Sequence, residues 1–300
     1  MGSLPVKLGI TDIHCHGGGG YYFSDPNPEY ISKAISVHKA SGTKNLVASL
    51  VTDSIDNLMV QIKMLQPFVE RGELVGIHLE GPYLSTIKCG AQDPAKIRKP
   101  NLDELKSLID VSNGNIVMVT IAPELEGALE LIKYLSNEKV LAAIGHSDGN
   151  YDDALAAIDA GASVVTHFNN AMTKLDSPGK SFSSAILEDK SIYLEIIVDG
   201  VHVDKELVKR IFVEAPKRVI LVSDAMSAAG CSDGEYKIGA LEVEVKNSVA
   251  RLKSNGSLAG STLTLNRAMQ NAIEFGVSKD LVDLAAATAP TALLNKISKN

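Results

Sequence analysis

The chain carries seven histidines, and their positions are not scattered. His38 falls inside a helical pattern. The other six, His14, His16, His78, His146, His167 and His202, sit in or near the ends of short apolar runs. Two acids share that placement: Glu80 closes the run 74–79 and Asp224 closes 219–223. A carboxylate at the end of a buried strand needs a cation or several donors. Alternate strand residues point to one side, so His14 and His16 can approach a single metal ion together. The glycines at 17–20 let the backbone turn away without side-chain obstruction. Taken alone, His-x-His also occurs as a polar strand end, and Glu80 reads equally as half of a structural salt bridge. The joint pattern carries the argument, because unrelated core histidines do not accumulate at one end of successive strands. Imidazole and carboxylate together suit zinc, iron, manganese or cobalt as divalent ions. A cation so held acidifies water, and a neighbouring carboxylate such as Asp224 can take the proton and later return it to a leaving group.

The elements that must position these groups alternate regularly. Near-continuous apolar runs predict strands over 7–14, 45–52, 74–80, 116–122, 140–146, 163–167, 192–198 and 219–224. Strands buried on both faces of a parallel sheet read this way. Helical patterns follow over 28–41, 54–71, 101–109, 125–136, 152–160, 182–189 and 204–213, with 263–275 and 279–294 after the last strand. Several stop at glycine, which suits a C-terminal cap. Eight strand–helix steps predict an α/β fold, a (β/α)8 TIM barrel, with an open doubly wound sheet as the alternative. Catalytic groups of a barrel sit at the C-terminal ends of its strands, where the histidines and acids fall. The stretch 230–258 breaks the rhythm. It alternates as strands do and predicts a small β insertion after the eighth strand, within one domain spanning 1–300.

Composition narrows the class. The 300 residues are 45% hydrophobic and 22% charged, an ordinary globular mixture. A net charge of −7 without a basic run argues against nucleic acid as partner. No apolar span reaches transmembrane length, and the opening residues lack the apolar core of a signal peptide. Cys15, Cys89 and Cys231 are odd in number and far apart, so neither a disulfide scaffold nor an all-cysteine zinc site is expected, and the expected compartment is cytoplasmic.

The motifs extend beyond the candidate ligands. Gly76-Ile77-His78-Leu79-Glu80-Gly81-Pro82-Tyr83, Gly145-His146-Ser147-Asp148, Thr166-His167-Phe168-Asn169-Asn170-Ala171-Met172, Asp199-Gly200-Val201-His202, Ser223-Asp224-Ala225-Met226 and Leu258-Ala259-Gly260-Ser261 occur in this order. As an ordered set, spanning roughly residues 9–294, they resemble the N-acetylglucosamine-6-phosphate deacetylases of the amidohydrolase superfamily. That resemblance implies a cytoplasmic homodimeric enzyme that releases acetate from the 2-acetamido group of a sugar 6-phosphate. It implies that Glu80, His146 and His167 hold the main metal, that His14 and His16 hold a second in members with the paired histidines, and that one or two divalent ions bind, zinc foremost. Asp224 is implied as general base and then acid. Gln92, Asn170, Ala171 and His202 are implied as contacts to the sugar phosphate.

Three departures from the family pattern bear on specificity. The loop Thr173-Lys174-Leu175-Asp176-Ser177-Pro178-Gly179 is short and lacks the arginine that in the family helps to bind phosphate. Lys174 or Lys180 could replace it as a point charge, without bidentate geometry. The small β-sandwich that flanks the family's barrel is expected to be absent. Phe168-Asn169 replaces a more apolar or aromatic pair. These departures keep open a deacetylase for a galactosamine isomer or an unphosphorylated N-acetylhexosamine, and a non-catalytic relative that binds metal or sugar phosphate.

Overall fold

The computed structural model describes residues 6–297. Residues 1–5, part of the stretch read above for a signal peptide, and 298–300, the tail of the expected domain, lie outside the described residues. The chain opens with β1 (Thr11–Asp12) and a tight hairpin, β2 (Gly17–Gly18) and β3 (Tyr21–Tyr22). It then alternates: α1 (Pro28–Ala40), β4 (Asn45–Leu50), α2 (Ile55–Glu70), β5 (Gly76–Glu80), α3 (Leu102–Val111), β6 (Ile116–Ile121), α4 (Ala128–Asn137), β7 (Leu141–Ile144), α5 (Tyr151–Asp159), β8 (Val164–Val165), α6 (Phe182–Glu188), β9 (Tyr193–Ile197), α7 (Lys205–Glu214) and β10 (Val219–Val222). Eight of these strands form one parallel sheet in the order β1-β4-β5-β6-β7-β8-β9-β10.

The expected barrel is nearly closed. Its two outer strands do not pair as a regular ladder, but their continuations do meet. The Asp224 amide donates to the His14 carbonyl at 2.9 Å, the His16 amide to the Ala225 carbonyl at 2.8 Å, and the Ser223 amide to Asp12 Oδ1 at 3.2 Å. Barrel closure therefore runs directly through two candidate ligands and the candidate base.

Sequence accounts for the helix starts. Ser54 accepts from the Asn57 amide, Asn101 from those of Asp103 and Glu104, and Asn150 forms a reciprocal capping box with Asp153. Helices end where expected too: Gly161 follows α5 at φ +112, a conformation that a Cβ would strain. The strands read as fully buried are so, β4, β6 and β10 having no exposed position. Two differences stand out. The strands expected over 7–14 and 163–167 pair only over two residues each, because the chain leaves the sheet early to present the site. The helix expected over 279–294 is broken into α9 (Lys279–Asp283), a π-helical turn (Leu284–Thr288) and α10 (Ala289–Lys296).

The insertion is a three-stranded antiparallel sheet, β11 (Gly234–Ile238), β12 (Leu241–Lys246) and β13 (Val249–Leu252), followed by α8 (Leu265–Glu274). Its alternation buries Val243, Val245, Ala250 and Leu252 in a small core with Met226 and Ala259, over the mouth of the barrel. The Asn247-Ser248 turn, with φ +52 and +62, connects β12 to β13. Among the described residues no helix is long and apolar enough to cross a membrane.

Candidate metal centre and active site

Strand ends in this barrel are strained where the chemistry is concentrated. His146, His167, Asn169, Ala171 and Asp224 have φ of +47°, +30°, +70°, +49° and +46°. Left-handed conformations cost non-glycine residues stability and persist only where the surroundings enforce them. Of these, His146, His167, Ala171 and Asp224 line the mouth of the barrel, and Asn169 instead accepts from the Leu175 amide at 2.7 Å.

The structure brings Glu80, His146 and His167 together, and His14, His16 and Asp224 beside them, each trio with ligand atoms within 4.8 Å of one another. Glu80 lies between the two groups. Its Oε1 is 3.0 Å from His146 Nε2 and 3.1 Å from His167 Nε2, and its Oε2 is 3.2 Å from His16 Nε2. Asp224 Oδ1 is 3.4 Å from Nε2 of both His14 and His16.

The outward-facing nitrogens show what these rings are prepared for. His14 Nδ1 donates to Glu195 Oε2 at 2.9 Å, His16 Nδ1 to the Ser49 carbonyl at 3.1 Å, and His146 Nδ1 to the Lys88 carbonyl at 2.8 Å. Carbonyls and carboxylates can only accept, so these three rings carry their proton on Nδ1. Their Nε2 atoms point inward, with His14 and His16 Nε2 3.1 Å apart and His146 and His167 Nε2 3.0 Å apart. Nitrogens converging at that distance need positive charge among them, a proton or a cation.

The charges agree. Burial works against the ionised form of Glu80, yet His14 and the hydrogen bonds from His14, His146 and His16 outweigh it and hold the carboxyl well below its ordinary range. Burial likewise opposes ionisation of Asp224, and His14 and His16 overcome it. Burial opposes a proton on His14, but Glu195, Asp224 and Glu80 push it well above the ordinary imidazole range. A cluster that demands positive charge and offers imidazole nitrogen and carboxylate oxygen fits a divalent cation.

His78, two residues before Glu80, takes no part in that donor set. Its ring is wholly buried between Ser49 Oγ (2.9 Å) and Thr120 Oγ1 (2.8 Å) and stands edge-on to His14. Burial lowers its pKa well below the usual value, so it is a neutral support.

Above the cluster opens a cleft of about 330 Å³, within the range of small-molecule sites. Gln92, Asn170, Ala171 and His202 all line it, with Asp224 at its floor. His202 Nδ1 is 2.6 Å from Asp199 Oδ2, which orients the ring. The Gln92 carboxamide is committed at both ends: its oxygen accepts from the Thr52 amide at 2.7 Å and its nitrogen donates to Glu80 Oε2. It holds Glu80 in place from the cleft wall. Ile238, Ser257, Leu258 and Gly260 also line the cleft, so the insertion supplies one wall. Gly260 passes so close to Asp224 that a Cβ there would stand 2.8 Å from the Asp224 carbonyl.

Sequence reasoning missed two residues. Glu195 is an acid in the middle of an apolar strand, a signal visible in the run Tyr193-Leu194-Glu195-Ile196-Ile197. Lys88 is, among the described residues, the one lysine or arginine lining the cleft, with Nζ 3.5 Å from Asp148 Oδ1. Lys174 and Lys180 are exposed and do not line it, and Lys180 Nζ lies over the Tyr151 ring at 4.3 Å.

No protein-family model matches the chain. Known proteins do. The N-acetylgalactosamine-6-phosphate deacetylase of Escherichia coli O157:H7 is 36% identical over 268 residues, 88% of this chain and 71% of that protein. The N-acetylglucosamine-6-phosphate deacetylase of Bacillus subtilis is 33% identical over 275 residues, 89% of this chain and 69% of that protein. Among solved structures, a mutant N-acetyl-D-glucosamine-6-phosphate deacetylase of Mycobacterium smegmatis in complex with N-acetyl-D-glucosamine-6-phosphate superposes with a TM-score of 0.92 at 41% identity, covering 96% of this chain and 77% of that one. With the barrel, the histidine–carboxylate cluster and relatives of this similarity in agreement, the chain belongs to the N-acetylglucosamine-6-phosphate deacetylase family of metal-dependent amidohydrolases.

Proposed function

We propose that this protein hydrolyses the acetamido group of N-acetylglucosamine 6-phosphate to glucosamine 6-phosphate and acetate. The observation that carries the reading is Asp224 at the floor of a sugar-sized cleft, its Oδ1 beside two inward-facing imidazoles of a metal-type donor set. Glu80, His146 and His167 would hold the main divalent cation, and His14 and His16 a second. Zinc is the first choice, with iron, manganese or cobalt as alternatives. When bound, such a cation polarises the amide carbonyl and makes water a better nucleophile.

The chain's own groups do the rest. Asp224, unprotonated because His14 and His16 hold its pKa low, accepts a proton from the attacking water. Oxygen bonds to the amide carbon, the C–N bond breaks, and Asp224 returns the proton to the departing nitrogen. His202, its Nδ1 hydrogen engaged by Asp199, offers Nε2 to a sugar hydroxyl. Asn170 and Ala171 frame the sugar. Lys88 replaces the family arginine as the cation for the 6-phosphate.

A second reading, the galactosamine isomer, is favoured by the substrate named for the Escherichia coli relative. Acetate release from the two N-acetylhexosamine 6-phosphates and their unphosphorylated forms tests both. Turnover of the glucosamine isomer at least ten times that of the others supports the first reading, and the reverse order replaces it.

The reading includes a cytoplasmic homodimer within one domain over 1–300. Three free cysteines suit the compartment. The dimer rests on the family resemblance, and light scattering tests it.

A further inference from the structure

Three loops at the mouth of the barrel are tied to one another. The loop after β5 exchanges two hydrogen bonds with His146: the Ser85 amide donates to the His146 carbonyl at 2.9 Å, and His146 Nδ1 donates to the Lys88 carbonyl at 2.8 Å. These bonds hold the backbone of Lys88, not its side chain. The side chain meets Asp148, with Nζ 3.5 Å from Oδ1. Asp148 is held in turn by Glu124, in the loop after β6. Glu124 Oε1 accepts from the Asp148 amide at 2.8 Å, and Oε2 from the buried Ser147 hydroxyl at 2.6 Å. Ser147 Oγ also accepts from the Gly149 amide at 3.0 Å, so the turn between β7 and α5 closes on Glu124.

Glu124 neither lines the cleft nor belongs to the metal donor set. It is half-buried and spends both oxygens on this turn, in hydrogen bonds strengthened by its charge. The clamp delivers the exposed Asp148 carboxylate to the cleft's one lysine. A lysine stem loses much rotamer freedom when a ligand orders it. An acid that already orders the stem lowers that cost, and of the three donors on Nζ one given to Asp148 leaves two for phosphate oxygens.

We propose that Glu124 is a positioning residue for phosphate recognition: through the Ser147–Asp148 turn it sets Asp148 against Lys88, which then presents Nζ to the 6-phosphate of the sugar. The proposal rests on Lys88 as the cation for that phosphate. His146 keeps its own ties to Ser85 and Lys88, so the clamp acts on substrate affinity and not on the metal centre.

Steady-state acetate release by the metal-loaded full-length enzyme tests this, with whichever of the two N-acetylhexosamine 6-phosphates turns over faster. Glu124→Ala should raise KM about two- to five-fold, the range of a partly exposed ion pair, with kcat and bound metal within about two-fold of wild type. Asp148→Ala should raise KM by a similar factor, and the double variant by no more than either single one. In a Lys88→Ala background neither substitution should move KM further. Glu124→Asp keeps the charge but is too short to hold both donors; it should raise KM about two-fold or more and carries the test if Glu124→Ala does not fold. Glu124→Gln, which keeps the length, should stay nearer to wild type than Glu124→Asp. An equal rise in KM with and without Lys88 overturns the proposal. So does a parallel loss of kcat or of metal, the mark of a merely structural role, or a fall in KM in Asp148→Ala, which would make that acid a competitor of phosphate. If Lys88→Ala leaves KM unchanged, the reading of Lys88 falls and the proposal with it. If Lys88→Ala raises KM and the Glu124 variants do not, the proposal alone falls.

Discussion

Asp224 and His16, carried just past the last and first strands of the barrel, meet with Oδ1 3.4 Å from Nε2. The contact puts a carboxylate of lowered pKa in the lining of the cleft. Asp224→Asn keeps the volume and removes the proton acceptor. It should lower kcat for acetate release by about 10² to 10⁴ while bound metal, measured by elemental analysis, is unchanged. Turnover within ten-fold of wild type would remove Asp224 from the proton-transfer role.

Cation binding should also stabilise the fold, since the ligands come from β5, from the loops after β1, β7 and β8, and from the turn after β10. At a free metal concentration about 100 times Kd, one site adds about 2.7 kcal/mol, which is about 5 °C in Tm for a chain of this size. Scanning calorimetry of stripped and reloaded protein measures this. Identical melting curves would mean that the donor set holds no ion.

Lys88 is the cleft's cation, and its side chain is about one-third exposed, so its contribution is partly screened. Lys88→Ala should raise KM for a 6-phosphate substrate about five- to ten-fold and leave the unphosphorylated sugar unaffected. An equal change with both substrates would place the phosphate elsewhere.

His38, which does not line the cleft but touches Cys15 Sγ at 3.2 Å, gives a further pH dependence. Its ring is buried, with Nε2 donating to the Gly17 carbonyl at 2.9 Å and Nδ1 unpartnered. Burial lowers its pKa below the ordinary value, so the folded chain binds its proton less readily than the unfolded one. Its contribution is full above the unfolded imidazole pKa of about 6.5 and is lost as pH falls through the folded value. Urea midpoints at about pH 7.5 and 5.5 should therefore decrease on acidification, and His38→Gln should flatten part of that slope. A slope of the same size in the variant would assign it to other groups.

Much of the site was legible because strand endings are legible. Apolar runs that stop at His, Glu or Asp mark where a buried strand meets a polar mouth, and His14, His16, Glu80, His146, His167 and Asp224 all converge there. The insertion was legible from its alternation. Other features were not. Gln92 reads as a group facing the sugar and does line the cleft, but the engagement of its amide by Thr52 and Glu80 has no signature in the sequence. The helix over 279–294 reads as continuous, but a π-helical turn interrupts it.

The sequence by itself determined the barrel, the side of each strand on which its polar residues lie, and the chemical types gathered at the mouth, because burial imposes a periodicity that residue types must obey. Tertiary structure alone decided the pairings. Glu195 reaches His14, and Lys88 enters the cleft through a loop whose backbone carbonyl also holds His146. Such partners lie on different strands and loops, and only the closing of the sheet, with its register and strained strand ends, sets which of them come within hydrogen-bond distance.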